Sequence, residues 1–170
     1  RYPAAMQVQE IRGSYVETVH PVCAVAVRLG QDRELLALRS VGAPFPSAWR
    51  SAGKPIQLHT CLRLLDEADP ATAQCLGAED LALGASSHSG QPEHLARLRA
   101  LMARFGLGQA DLYCGAEPPM NADARAALGT NPALNLHNDC AGKHAYMAAV
   151  CRAHGWPGDY RPAAHPLQQV

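Results

Sequence analysis

The stretch HNDCAGKHAYMAAV, His137 to Val150, sets Cys, Lys and two His around one Gly just ahead of an apolar run. A phosphate loop needs Gly five residues before its Gly-Lys pair and Ser or Thr after the Lys. His137 and His144 occupy those places, so a nucleotide-binding strand–loop–helix unit is excluded. A zinc deaminase needs His-x-Glu and Pro-Cys-x-x-Cys, and the chain has neither. A cysteine phosphatase loop needs an Arg soon after the Cys, but the first Arg after Cys140 is Arg152. What remains is the mouth of a helix that starts near Gly142 and stops at Gly155, with Pro157 beyond. Cys140 and Lys143 stand three residues apart at that mouth. A helix N-terminus and a neighbouring ammonium favour a thiolate, which serves as nucleophile or metal ligand. The same two residues also read as a buried Cys and a surface Lys at an ordinary helix start, and Lys is a rare zinc ligand.

Working outward, LALGASSHSGQPEH runs from an apolar segment into small and hydroxyl residues, and Pro92 opens a helix. Leu95, Leu98, Leu101, Met102 and Phe105 follow at helical spacing, and Gly106 or Gly108 ends it. Another helix fits Pro55 to Ala68, with Leu58, Cys61, Leu62 and Leu65 on one face, and a short one fits Ala122 to Leu128. The N-terminal part is different. VCAVAV and ELLALRS are β-type runs separated by the turn GQD, and the alternation around Tyr15 to Val19 follows the turn RGSY. Strands first and helices later give an α+β class, an antiparallel meander with helices packed on it.

Composition narrows the function. Lys plus Arg and Asp plus Glu are equal, 15 each, so neither a nucleic acid nor an acidic membrane is an expected partner. No apolar run approaches the ~18 residues that span a bilayer. The length fits one domain. The six cysteines, Cys23, Cys61, Cys75, Cys114, Cys140 and Cys151, form no Cys-x-x-Cys pair. Their scatter reads as reduced, mostly buried thiols and a cytoplasmic location.

Two further stretches carry chemistry. RSAGKPIQ, Arg50 to Gln57, holds Ser51 and Lys54 as Ser-x-x-Lys. A Ser hydroxyl is a weak nucleophile until a base takes its proton, and a Lys held close can be that base. The motif also opens class A β-lactamases, but its Ser-Asp-Asn and Lys-Thr-Gly companions are absent here. Pro55 biases Lys54 away from helical geometry, so the pair is expected on a turn leading into the helix. ASSHSG, Ala85 to Gly90, suits either a substrate-contacting loop or a polar turn capping the next helix.

In order and approximate spacing, RSAGKPIQ, ASSHSGQPEH, HNDCAGKHAYM and HPLQ resemble the asparaginase II family. This is the serine–lysine group, distinct from the threonine-dependent bacterial asparaginases. RSxxKPxQ and CxGKHAxM are specific in combination, and the resemblance spans nearly the whole chain. It implies a fold like that of serine β-lactamases and glutaminases, an antiparallel sheet flanked by helices. The implied reaction is hydrolysis of L-asparagine to aspartate and ammonia. Carried over, Ser51 is the nucleophile, Lys54 its base, and Ser87 the second active-site hydroxyl. Cys140 and Lys143 correspond to two zinc ligands that a further Cys completes. Arg50, His88 and His144 are expected to hold the substrate carboxylate.

Family members continue past HPLQ, and the remaining zinc Cys and another active-site Lys lie there. The resemblance therefore makes residues 1–170 the N-terminal part of a single asparaginase-like domain, with an incomplete fold. Ala141 stands where Ser is more usual, and Gly53 occupies a variable slot. Such a chain is expected to be inactive or weakly active alone, and to form a homodimer or associate with a C-terminal half. Two other functions fit the same motifs. One is a catalytically dead module binding zinc or an amino acid. The other is a different serine–lysine acyl hydrolase, such as a glutaminase.

Overall fold

Gly13, at φ +63°, turns the chain between two strands, β1 (Met6–Arg12) and β2 (Tyr15–Val22). Glycine tolerates the left-handed region that tight two-residue hairpin turns demand. Arg12 pairs with Tyr15 across this turn, and the ladder runs antiparallel to Met6 and Val22 with a bulge between Glu10 and Ile11. A second hairpin joins β3 (Ala24–Leu29) to β4 (Leu35–Val41) through a loop that starts at Gly30. The computed structural model describes residues 6–170. Both turns lie where RGSY and GQD place them. The pairing differs from the expected meander, because β1–β2 and β3–β4 are separate two-stranded sheets. Pro21, near the end of β2, has no N–H to offer a further neighbour, and Pro is tolerated where a strand is paired on one side. The strands leave Val8, Val16, Val25, Val27, Leu29 and Leu35 exposed.

From Trp49 to Val170 the chain forms a second compact unit, which is helical. A 3₁₀ turn, Arg50–Gly53, runs straight into α1 (Lys54–Ala68). Then come α2 (Pro70–Gln74), α3 (Ala78–Ala85), α4 (Pro92–Arg104), α5 (Ala122–Leu128) and α6 (Ala141–Ala153). The local causes are visible at the ends. Pro sits in the first turn of α1, α2 and α4. Asp69 and Asn121 accept the N–H of Thr72 and Ala124 as N-caps. Gly129 and Gly155 take positive φ after α5 and α6. The apolar start of LALGASS is the end of α3, a run too short for periodicity to classify. With antiparallel strands and six α-helices among the described residues, the class is α+β. No helix among them is long and apolar enough to cross a membrane.

The helical core is built on α1, α4 and α6. Leu58, Cys61, Leu65, Leu101, Phe105, Tyr146 and Val150 pack together. Two glycines set how closely the helices approach. A Cβ on Gly84 of α3 would lie 2.7 Å from Leu58 Cδ1 and from Tyr146 Cε2. A Cβ on Gly142 of α6 would overlap the carbonyl oxygen of Leu83. The start of α6 therefore abuts the end of α3, and the loop after α3 meets the loop before α6. There the His88 N–H donates to the Asp139 carbonyl at 3.1 Å. On the other side, Asp80 of α3 is fully buried and accepts from Arg97 (2.8 Å) and Arg104 (2.6 Å) of α4.

Candidate active site

Lys54 organises the site. It is the first residue of α1, and only 1% of its surface is exposed. Its stem runs inward under the loop after α3, and Nζ donates to Ser87 Oγ at 2.7 Å. Asp139, just before α6, brings its Oδ2 to 4.0 Å from the same Nζ. Helix starts and a loop end from three places in the sequence thus converge on one ammonium. Burial works against ionisation of Asp139, but side-chain hydrogen bonding from Ser87 and Cys140 and the charges of Lys54 and His88 outweigh it. Its carboxyl is held below the usual range.

Ser51 lies on the 3₁₀ turn and is exposed, but Lys54, expected outside helical geometry because Pro55 follows it, adopts φ −56° and ψ −42° as the first residue of α1. The preceding Arg50 adopts φ +47°, a region that residues other than Gly seldom occupy and that concentrates at functional sites. Ser51 and Lys54 share one depression of ≈ 370 Å³ with Arg50, Cys140 and Lys143. Ser87 opens on another, of ≈ 340 Å³, lined also by Ser86, His88, Glu93 and His94. The Lys54–Ser87 hydrogen bond links the two. Lys54 makes that bond to Ser87 and not to Ser51.

The two histidines are placed differently from what a carboxylate clamp requires. His144 sets Nδ1 2.9 Å from the Tyr160 hydroxyl, which also accepts the Tyr113 N–H. Burial, helped by the charges of Lys143 and Lys54, pushes His144 down to about 4, so its ring is neutral near pH 7. His144 lines neither depression. His88 is 4% exposed, and its Nδ1 accepts the Gly90 N–H at 3.2 Å. That acceptor role assigns the ring proton to Nε2, which has no partner among the described residues. Burial first, then the neighbouring His94, holds His88 below its ordinary value. Of the three residues expected to hold a carboxylate, Arg50 alone lines the Ser51 depression.

Cys140 and Lys143 do come together in that depression. Among the described residues, no group of three His, Cys, Asp or Glu could hold a metal ion. Two donors do not fill the four positions of a zinc site, so the described residues alone do not fit a closed zinc centre. Cys151 is no substitute. It is buried in α6 against Tyr160 and Ala148, and burial pushes its thiol up to about 11. Cys61 is likewise buried, pushed up to about 12 by burial and by Cys151. All six cysteines are free thiols, with Cys23 and Cys75 exposed.

Asp139 and Tyr160 are the site residues that sequence reasoning missed. Asp139 was legible only as the acid beside Cys140. Nothing in the chain's order says that it faces a Lys on another helix.

The family model for L-asparaginase II matches residues 8–170. The chain belongs to this family. The match includes all three converging stretches, so Ser51, Lys54, Ser87, Cys140 and Lys143 of this asparaginase II family member lie inside it. No curated protein matches the chain by sequence. Membership gives it an asparaginase-like character in general.

Proposed function

We propose that the chain carries a serine–lysine centre that hydrolyses the side-chain amide of L-asparagine to aspartate and ammonia, with weak turnover expected of residues 1–170 alone. The observation that carries this reading is the buried Lys54, bonded to Ser87 at 2.7 Å and sharing one depression with the exposed Ser51. Lys54 first gives up a proton through Ser87, and the resulting amine takes the Ser51 proton as Ser51 attacks the amide carbon. The tetrahedral intermediate collapses to an acyl-Ser51, and the departing nitrogen takes its proton from Lys54 and leaves as ammonia. Water then attacks the ester and regenerates the serine. Ser87 is the relay that exchanges the Lys54 proton with the second depression and solvent. Backbone N–H groups near the 3₁₀ turn are the candidate oxyanion donors. Arg50, on the rim of the Ser51 depression, is the candidate partner for the substrate carboxylate. Cys140 and Lys143 are the two donors this chain would offer a zinc ion. No step of the reaction is assigned to it.

The Lys54–Ser87 bond favours one variant reading, in which Ser87 carries the acyl group and Ser51 assists. Ammonia release from asparagine, with glutamine as comparison, tests the activity itself. Mass spectrometry of the protein quenched during turnover tests the serine, since a mass increase on the peptide containing Ser51 supports the main reading and one on Ser87 supports the variant. Ligand binding without ammonia release would point instead to a binding module.

A further inference from the structure

We propose that Asp139 is a positioning residue that holds the Lys54 ammonium on Ser87. The kinetic half of this inference rests on the function proposed above, and the structural half does not. Lys54 is withdrawn from water, and a buried charge needs a compensating partner. Ser87 supplies a hydrogen bond but no charge. Asp139 is the carboxylate within ion-pair distance, at 4.0 Å. That separation is too long for a hydrogen bond, so Asp139 balances the charge without drawing Nζ away from Ser87.

The frame around Asp139 is built to keep it there. Its carbonyl accepts the His88 N–H at 3.1 Å. The neighbouring Asn138 accepts the Cys140 N–H through Oδ1 at 2.9 Å and donates through Nδ2 to the carbonyls of Cys114 (3.1 Å) and Gly115 (3.3 Å). Gly142 lets the following helix press on Leu83. The carboxylate, three-quarters removed from solvent, is therefore set by fixed backbone on both sides. Loss of its charge frees Lys54 to turn towards the solvent-exposed depression and away from Ser87.

Asp139→Asn preserves shape and removes the charge. In thermal melts it is expected to lower Tm by about 5 °C, and by much less in a Lys54→Met background, where the charge to be balanced is gone. Lys54→Gln serves the same comparison if Lys54→Met does not fold. In turnover, kcat for ammonia release is expected to fall about tenfold or more with KM within about twofold, the signature of a lost transition-state contribution. Asp139→Glu is expected to recover part of kcat. Equal Tm losses in both backgrounds, or wild-type kcat and Tm in Asp139→Asn, would overturn the assignment. Absence of ammonia release from the unmodified chain would defeat the asparaginase reading alone, and the thermal comparison would still decide the pairing.

Discussion

Ser51 and Lys54 are three residues apart in sequence, but the hydrogen bond that defines the site joins Lys54 to Ser87. Replacement of Ser51 by Ala is expected to lower kcat by about 10³-fold or more with the fold intact, as for a nucleophile that acts as a unit with its base. Lys54→Met should lose a similar amount of activity. Circular dichroism and ammonia-release kinetics check both. His144 makes a different prediction. Its folded value near 4 lies below the ordinary 6.5, so the unfolded chain binds the extra proton first as the pH falls. Stability contributed by neutral His144 is therefore complete above about pH 6.5 and is lost progressively towards pH 4. Urea midpoints for wild type and His144→Gln should converge across that window. A wild-type profile unchanged by the substitution would refute the assignment.

The helices owe their spacing to a few residues with a job between elements. An Ala in place of Gly142 would gain up to about 1 kcal/mol in helix propensity. Its methyl would overlap the Leu83 carbonyl, a backbone group that cannot step aside. The expected net effect of Gly142→Ala is a loss of about 1–3 kcal/mol, with displacement of Asp139 and reduced turnover, measured by chemical denaturation and kinetics. Asp80 ties α3 to α4 through Arg97 and Arg104. Its burial opposes ionisation, but these guanidinium groups and the Gly77 N–H outweigh it and hold the carboxyl low. Asp80→Ala leaves two Arg side chains without their acceptor. The expected cost is about 3 kcal/mol, the low end for breaking a buried pair because both Arg are partly exposed. With the folded value depressed, this contribution is present above about pH 4 and disappears as the pH falls through the folded value.

At the scale of the molecule, the strand unit and the helical unit differ in how they are stabilised. Residues 49–170 contain their own core, with Leu65, Leu98, Leu101, Tyr146 and Val150 at 0–1% exposure. Expressed alone, they are expected to give a cooperative thermal transition. The strands carry Val25, Val27, Leu29 and Leu35 on the surface at 49–71% exposure. Apolar strand surface of this kind favours association between copies. Sedimentation of the whole chain is expected to show concentration-dependent self-association that residues 49–170 lack. Monomeric behaviour of both at high concentration would contradict this.

Local chemistry alone was enough to place most elements. Pro55 and Pro92 mark helix starts to within a residue, Gly155 marks the end of α6, and Gly13 sits in the first hairpin turn. These are short-range effects of fixed φ, missing N–H groups and tolerated positive φ, which the chain carries wherever it folds. Local motifs singled out Ser51, Lys54, Cys140 and Lys143, and the family resemblance added Ser87. Which of them meet was decided by tertiary structure. Gly84 and Gly142 allow α3 and α6 to close on α1, and only then does Lys54 reach Ser87, Asp139 become its counter-charge, and His144 turn to Tyr160. Such contacts depend on helix packing between residues distant in sequence, for which a linear motif holds no geometric information.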